Sequence, residues 1–171
     1  MADKGKLVKR HQKVAYYGVP ESGGSTTTFT RMQGFTSLST AKNSKEYSRQ
    51  YVDEAFEESD VTGYSPSMSY AFDQYKGNAV HDDIVAITDD ELTGDDAVRD
   101  IVLVDLTEKS GSAYTARKRS FAVIPDSEGD SMDAYTYSGT FKTKGVSIKG
   151  TATIDEEANT LTFSPSATEE E

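Results

Sequence analysis

The sequence predicts a mainly β domain of the sandwich or barrel-like kind, carrying one short flanking helix and one long extended arm. Three observations lead there. Ten tyrosines and 19 threonines in 171 residues favour strands. Most apolar residues recur with period two, as on a strand with one face buried. Only one segment, about residues 78–91, carries helical spacing.

Taken in order, Leu7 to Val19 reads as a first strand, with Val8, Val14, Tyr16 and Tyr17 among basic residues. Residues 20–25, Pro-Glu-Ser-Gly-Gly-Ser, form a loop. Phe29 to Leu38 is expected to be one strand with a bulge or close backbone approach at Gly34. Residues 39–62 are polar and charged, so an extended arm or hairpin suits them better than a core strand. Tyr64, Pro66, Met68, Tyr70 and Phe72 then alternate with small or polar residues. Asn78 is a good N-cap, Asp82 and Asp83 suit the positive end of a helix dipole, and Val80, Ile84 and Ile87 form an i, i+4, i+7 stripe. Gly94 is expected to end that helix.

Ala97 to Leu106 is the most apolar strand and is expected at the centre of the sheet. A turn at 109–112 leads to a strand from Ala113 to Pro125, followed by an acidic loop from Asp126 to Asp133 around Gly129. Tyr135, Tyr137, Gly139 and Phe141 alternate, and after Lys144-Gly145 so do Val146, Ile148, Gly150, Ala152 and Ile154. Asp155 to Asn159 closes a hairpin into Thr160 to Ser164. Residues 165–171 are expected to be a disordered tail. The whole of 1–171 is expected to form a single domain with 39–62 as its arm.

Composition narrows the function classes. No run of about 18 apolar residues spans a membrane. Residues 1–6 are basic but lack the apolar stretch of a secretory signal, so synthesis in the cytosol is expected. Zero cysteines exclude disulfides, zinc–thiolate sites and thiol nucleophiles. Leu, Ile, Val and Phe make only 31 of 171 residues (6, 6, 12 and 7), and the net charge is −11. So thin a core with clear strand patterning implies a domain that gains part of its order by assembling. Many strands also mean sheet edges, which need cover.

Charge is segregated. Residues 46–108 carry 17 acidic side chains against three basic ones, a net of −14. Residues 1–20 carry Lys4, Lys6, Lys9, Arg10 and Lys13 against Asp3; residues 113–150 carry six basic side chains against four acidic. Like subunits could dock acidic surface on basic surface, although a solvated acidic face explains the same pattern. The overall acidity argues against wrapping nucleic acid.

Catalytic equipment is scarce. His81 stands beside Asp82 and Asp83, but a histidine in a helix's first turn is more often a packing or surface residue. The stretch Gly145-Val146-Ser147-Ile148-Lys149 misses the serine-hydrolase elbow at its fifth position. Gly23-Gly24-Ser25 lacks the lysine of a phosphate loop. Asp89, Glu91, Thr93, Gly94 and Asp100 only loosely match a calcium loop, since Asp96 stands at its apolar position and no helix follows. Asp126, Glu128, Asp130 and Asp133 read as an acidic turn. Neither a cofactor nor a metal site is expected, and the chain is not expected to be an enzyme.

In serial order, several segments carry a family resemblance. They are Phe35-Thr36-Ser37-Leu38 leading through Ala41-Lys42-Asn43 to a charged arm, Val61-Thr62-Gly63-Tyr64, and Asn78-Ala79-Val80-His81-Asp82-Asp83-Ile84. After them come Gly94-Asp95-Asp96-Ala97, Tyr137-Ser138-Gly139-Thr140-Phe141 and Val146-Ser147-Ile148-Lys149-Gly150-Thr151. Their order resembles that of the tail tube (major tail) proteins of long-tailed bacteriophages, particularly those of Gram-positive hosts.

The resemblance implies a structural virion protein. Six copies would close a ring by joining their sheets, and rings would stack into a hollow tube that conducts genomic DNA without sequence preference. Its partners would be its own copies and the tape-measure, tail-tip and tail-terminator proteins, with no membrane. The arm would reach the neighbouring ring, with Lys45, Glu46, Tyr47, Arg49, Tyr51, Glu57 and Glu58 as its contact residues. Acidic side chains facing the bore would repel phosphate.

A tube subunit of a contractile tail or bacteriocin particle is equally compatible. From other classes, a carbohydrate- or surface-binding β-sandwich would use Tyr64, Tyr70, Tyr135 and Tyr137, and a small hydrolase would use His81.

Overall fold

The computed structural model describes residues 4–24 and 26–167. Eleven strands and one helix follow in the order β1 (Lys13–Pro20), β2 (Thr27–Arg31), β3 (Phe35–Ala41), β4 (Ser44–Arg49), β5 (Glu58–Tyr64), β6 (Ser67–Asp73), α1 (Ala79–Asp89), β7 (Val98–Ser110), β8 (Ala113–Glu128), β9 (Thr136–Thr143), β10 (Ile148–Asp155) and β11 (Thr160–Pro165). The main sheet runs β10-β11-β2-β1-β7-β8-β9-β6-β3, all neighbours antiparallel, while β4 and β5 pair only with each other.

The 16-residue β8 organises the architecture. Along one side it pairs with β7. Along the other, its first half pairs with β10 (Ala116↔Gly150) and its second half with β9 (Val123↔Phe141). The first pairing closes β10-β11-β2-β1-β7-β8 into a six-stranded barrel; the second carries β9, β6 and β3 away as a separate layer. The result is a mainly β barrel and sandwich with one helix, as the sequence predicts.

Alternation along β7 and β8 serves two cores. Val102, Val104 and Ala116 point into the barrel with Tyr16, Ala152 and Leu161. Side chains fill that barrel, as its small strand number requires, so it is no channel. Ile101, Phe121 and Val123 point the other way, into a larger core with Tyr17, Met68, Tyr70, Phe72, Phe141 and the helical stripe Val80, Ile84 and Ile87. β7 lies at the centre, buried on both faces at Ile101 and Val102.

The helix forms for local reasons. The Asn78 side-chain oxygen accepts from the backbone N–H of Val80 (3.1 Å) and His81 (3.4 Å), covering two orphan donors of the first turn. It ends sooner than Gly94. Glu91 takes φ 51°, and the N–H of Leu92 reaches back to the Ile87 carbonyl at 3.1 Å, which closes the last turn. Gly94 instead opens a 3-10 turn into β7.

Four other expectations are corrected. Leu7 to Gln12 is not strand: residues 10–12 form a 3-10 turn and β1 starts at Lys13. Phe29 to Leu38 is two strands, β2 in the barrel and β3 in the outer layer. They part at Gly34, whose φ of 75° an L side chain resists and whose absent Cβ leaves room for the His81 ring at 3.0 Å. Ser39 to Ala41 pair with β6 (Ser39↔Ser69), so the sheet extends into the segment expected to be arm. Pro165 is the last residue of β11, opposite Gly150, and the Ser166 N–H donates to the Lys149 carbonyl; residues 168–171 lie outside the described residues.

Candidate functional site: an unpacked hairpin and an open cleft

Every residue from 39 to 62 is exposed. At the base of the β4–β5 hairpin, Asn43 adopts φ 46° and its amide donates to the Ser65 carbonyl (3.0 Å) and the Ser67 hydroxyl (3.1 Å). These bonds fix the point where the chain leaves the sheet. Beyond it the two strands hold only each other, with Ser48 facing Ser59 (hydroxyls 2.7 Å apart) and Arg49 facing Glu58. A two-stranded hairpin with nothing packed on it is at best marginally stable in water.

Of the residues expected to make arm contacts, Lys45, Glu46, Tyr47 and Arg49 lie on β4, Tyr51 and Glu57 in the tip loop, and Glu58 at the start of β5. All are exposed, and only Arg49 and Tyr47 touch through side chains, the guanidinium donating to the phenol oxygen at 2.8 Å. The hairpin also exposes Val52, Phe56, Val61 and Tyr64, so six large apolar or aromatic side chains lie uncovered on it. Its charge is lopsided: Glu46, Asp53, Glu54, Glu57, Glu58 and Asp60 against Lys45 and Arg49.

A second feature lies where the outer layer leans over the barrel. The inward face of β8 changes character along its length: Val123 and Phe121 are buried in the core with α1, whereas Arg119 and Arg117 line an open cleft. Its main lobe, about 610 Å³, runs between β3 and β6 on one side and β1, β7 and β8 on the other. A lobe of about 390 Å³ continues toward the hairpin base and shares Thr40, Met68, Leu103 and Arg117 with the first. Leu103 stays 39% exposed on its floor. Arg10, Lys13, Lys42, Arg117 and Arg119 supply positive charge; Asp105 and Glu108 oppose it, Asp105 already engaged by Lys13 at 3.1 Å. The Arg119 Nε is buried without a hydrogen-bond partner.

Sequence reasoning missed this cleft. A signal was there: Arg117 and Arg119 fall in step with Phe121 and Val123, which puts two cations on a face that must point inward.

The residues singled out for chemistry are occupied otherwise. His81 is fully buried, stacked on Phe72 with centroids 4.3 Å apart and edge-on to Phe35 at 5.4 Å. The Tyr75 N–H donates to its Nδ1 (3.1 Å), which leaves the proton on Nε2 to donate to the Gln33 carbonyl at 2.7 Å. Burial holds its pKa below the ordinary histidine value. With both nitrogens engaged, the ring staples the β2–β3 break to the helix.

Asp83 faces away from His81. It receives a two-pronged bond from Arg99, Nε to Oδ2 at 2.9 Å and Nη2 to Oδ1 at 3.1 Å, and a further bond from the Tyr17 hydroxyl at 2.6 Å. Burial, and then Asp83, push the Tyr17 phenol well above its usual pKa. This cluster ties α1 to β1 and β7. Among the described residues no group of three histidine, aspartate or glutamate side chains could hold a metal ion, and no helix is long and apolar enough to cross a membrane. The four tyrosines of the carbohydrate reading do not share a surface: Tyr70 and Tyr137 are core residues, 2% and 5% exposed, whereas Tyr64 and Tyr135 are exposed.

Comparison with known proteins adds a likeness of fold. No family model matches the sequence, and no curated protein matches it. Among solved structures, the backbone is similar to a chain in the cryo-EM structure of the anti-feeding prophage (AFP) baseplate, 6-fold symmetrised. The TM-score is 0.48 and the identity 9%, over 85% of this chain and 96% of that one.

Proposed function

We propose that the chain is a structural subunit of a phage tail tube, closing in rings of six copies that stack into a hollow conduit for DNA. The observation that carries the reading is the hairpin of β4 and β5. It exposes six large apolar or aromatic side chains, pairs with no other strand among the described residues, and springs from a base fixed by Asn43. Such a segment gains stability only against another surface.

Two further features support assembly of like copies. Barrel closure removes the edges of the strands it joins, but β3 ends the outer layer with one side unpaired, an edge that a neighbouring copy can cover. The charge is divided between an acidic hairpin and a basic cleft, so copies complement one another without a second protein. The ring and the bore rest on the serial order of segments, which resembles that of tail tube proteins. A packed barrel interior means that the bore is formed between subunits, not within one. On this reading the subunit resides in the virion, and the tape-measure, tail-tip and tail-terminator proteins meet its rings at the ends of the tube.

Electron microscopy of the purified protein over a range of concentration and salt tests this. Rings or tubes of uniform width with six-fold views are expected. A species that sediments as a monomer under all conditions, and stays so with tail-tip components present, overturns the reading.

A further inference from the structure

We infer that the basic cleft between the outer layer and the barrel is the seat for the hairpin tip of a second copy of this chain. The inference rests on the self-assembling reading above and adds to it a receptor that the sequence did not disclose.

Size and chemistry match on the two sides. The tip loop between β4 and β5 presents Tyr51, Val52 and Phe56, which are 49%, 109% and 83% exposed, flanked by Asp53, Glu54, Glu57 and Glu58. The cleft offers an apolar floor of Leu103 and Met68 beneath Arg10, Lys42, Arg117 and Arg119. Among the described residues none of these four cations is ion-paired within the chain; Arg10 donates only to backbone carbonyls, those of Lys13 (2.6 Å) and Leu38 (3.1 Å). An aromatic side chain on the floor, with carboxylates meeting the guanidinium groups at the rim, would satisfy both halves and give the Arg119 Nε its missing acceptor.

Geometry assigns the occupant to another copy. Lys42 and Tyr64, at the hairpin base, line the cleft themselves. β4 spans six residues, and at about 3.3 Å per residue this carries the tip roughly 20 Å from that base. A straight hairpin therefore points its tip away from its own cleft and toward that of a neighbour.

The absence of native cysteine makes the test clean. One batch of full-length protein carries Phe56→Cys and a second carries Leu103→Cys. The two are mixed under assembly conditions and oxidised, and the linked peptides are read by mass spectrometry. A peptide pair joining positions 56 and 103, found in assembled material and absent from dilute unassembled protein, is expected. Rings or tubes that form without this link, the introduced thiol at position 56 as reactive toward a thiol reagent as in the free protein, overturn the seat but leave the tube intact. No assembly of the unsubstituted chain overturns the proposed function and the seat together.

A charge swap gives the second reading. The double variant Arg117→Glu, Arg119→Glu, checked for folding by circular dichroism, should lose at least ten-fold in assembly. Mixing it with Glu57→Arg, Glu58→Arg protein should restore mixed assembly. Unchanged assembly by the arginine variant overturns the seat.

Discussion

Phe72 and Phe56 are both phenylalanines next to an acidic residue, and the chain treats them in opposite ways. Phe72 has no exposed surface; it stacks on His81 at 4.3 Å and on Tyr137 at 5.6 Å, with Phe35 tilted at 5.1 Å. Phe56 is 83% exposed at the hairpin tip. Around α1, His81 finds two backbone partners and Asp83 an arginine and a tyrosine, while one carboxylate oxygen of Asp82 and the Tyr70 hydroxyl stay buried without a hydrogen-bond partner. Along the hairpin, six large side chains lie uncovered, with the Tyr47 phenol bonded to Arg49 of the same hairpin. The first region stabilises the single chain, and the second is free to act between chains.

The largest expected effect separates the two phenylalanines. Phe72→Ala should lower unfolding free energy by about 4 kcal/mol, because a fully buried ring leaves a cavity among the rings of Phe35, Tyr70, His81 and Tyr137. Phe56→Ala should change it by less than about 0.5 kcal/mol, as at exposed sites generally. Urea titrations of dilute protein check both. Equal losses would mean that the hairpin is packed in the free chain, and the contrast would fall.

Next comes the ionic cluster under the helix. Asp83→Ala takes the counter-charge and the acceptors of Nε and Nη2 from Arg99, leaving it the Asp96 and Val98 carbonyls at Nη1, and removes the acceptor of the Tyr17 hydroxyl. The two charged side chains are only 12% and 14% exposed, so the loss should be about 3 kcal/mol, near the low end for breaking a buried pair. By contrast Asp95→Ala, which removes the exposed Lys144–Asp95 contact, should leave the urea midpoint where it was.

A smaller effect should follow pH. The His81 pKa is depressed in the folded chain, chiefly by burial, with the Gln33 carbonyl, Asp82 and Asp73 pulling the other way. The unfolded chain therefore binds the proton first as pH falls. Stability is fully present above about pH 6.5, the value of a free histidine, and declines below it. The urea midpoint should drop between about pH 6.5 and 5, before most carboxylates titrate, and His81→Phe should flatten that drop. A variant with an unchanged slope would show that another group carries the proton.

How much of this was legible follows from the range of the interactions involved. α1 could be read because Asn78, Val80, Ile84 and Ile87 act within a few residues of one another. The inward sets Met68, Tyr70, Phe72 and Tyr137, Phe141 could be read because the strand period is local. The break at Gly34 could not. It depends on the His81 ring arriving from 47 residues away to occupy the space a Cβ would take. The burial of His81 was hidden for the same reason, since its partners are backbone groups at 33 and 75, which side-chain types do not announce. The cleft depends on β8 being shared between β10 and β9, a long-range pairing. Only then do Arg117 and Arg119 become cations between layers and not on a solvated strand.

The smallest expected effect on stability is the one that bears most on function. Glu57 and Glu58 are exposed, and Glu58 faces Arg49 across the hairpin in a pairing worth about a few tenths of a kcal/mol. Reversing both to lysine should leave the urea midpoint of dilute protein within error. Stacking of rings should nonetheless weaken, because two carboxylates at the tip become cations facing a basic surface. Sedimentation with microscopy of the same samples separates single rings from tubes. Rings without tubes are the expected outcome; a parallel loss of folding and stacking would place the interface elsewhere on the molecule. Raising salt should narrow the gap between variant and parent, since exposed charges more than about 10 Å apart are largely screened at about 0.1 M. A gap that salt does not touch would assign the hairpin's hold to Tyr51, Val52 and Phe56, and leave its acids only the task of keeping the free chain in solution.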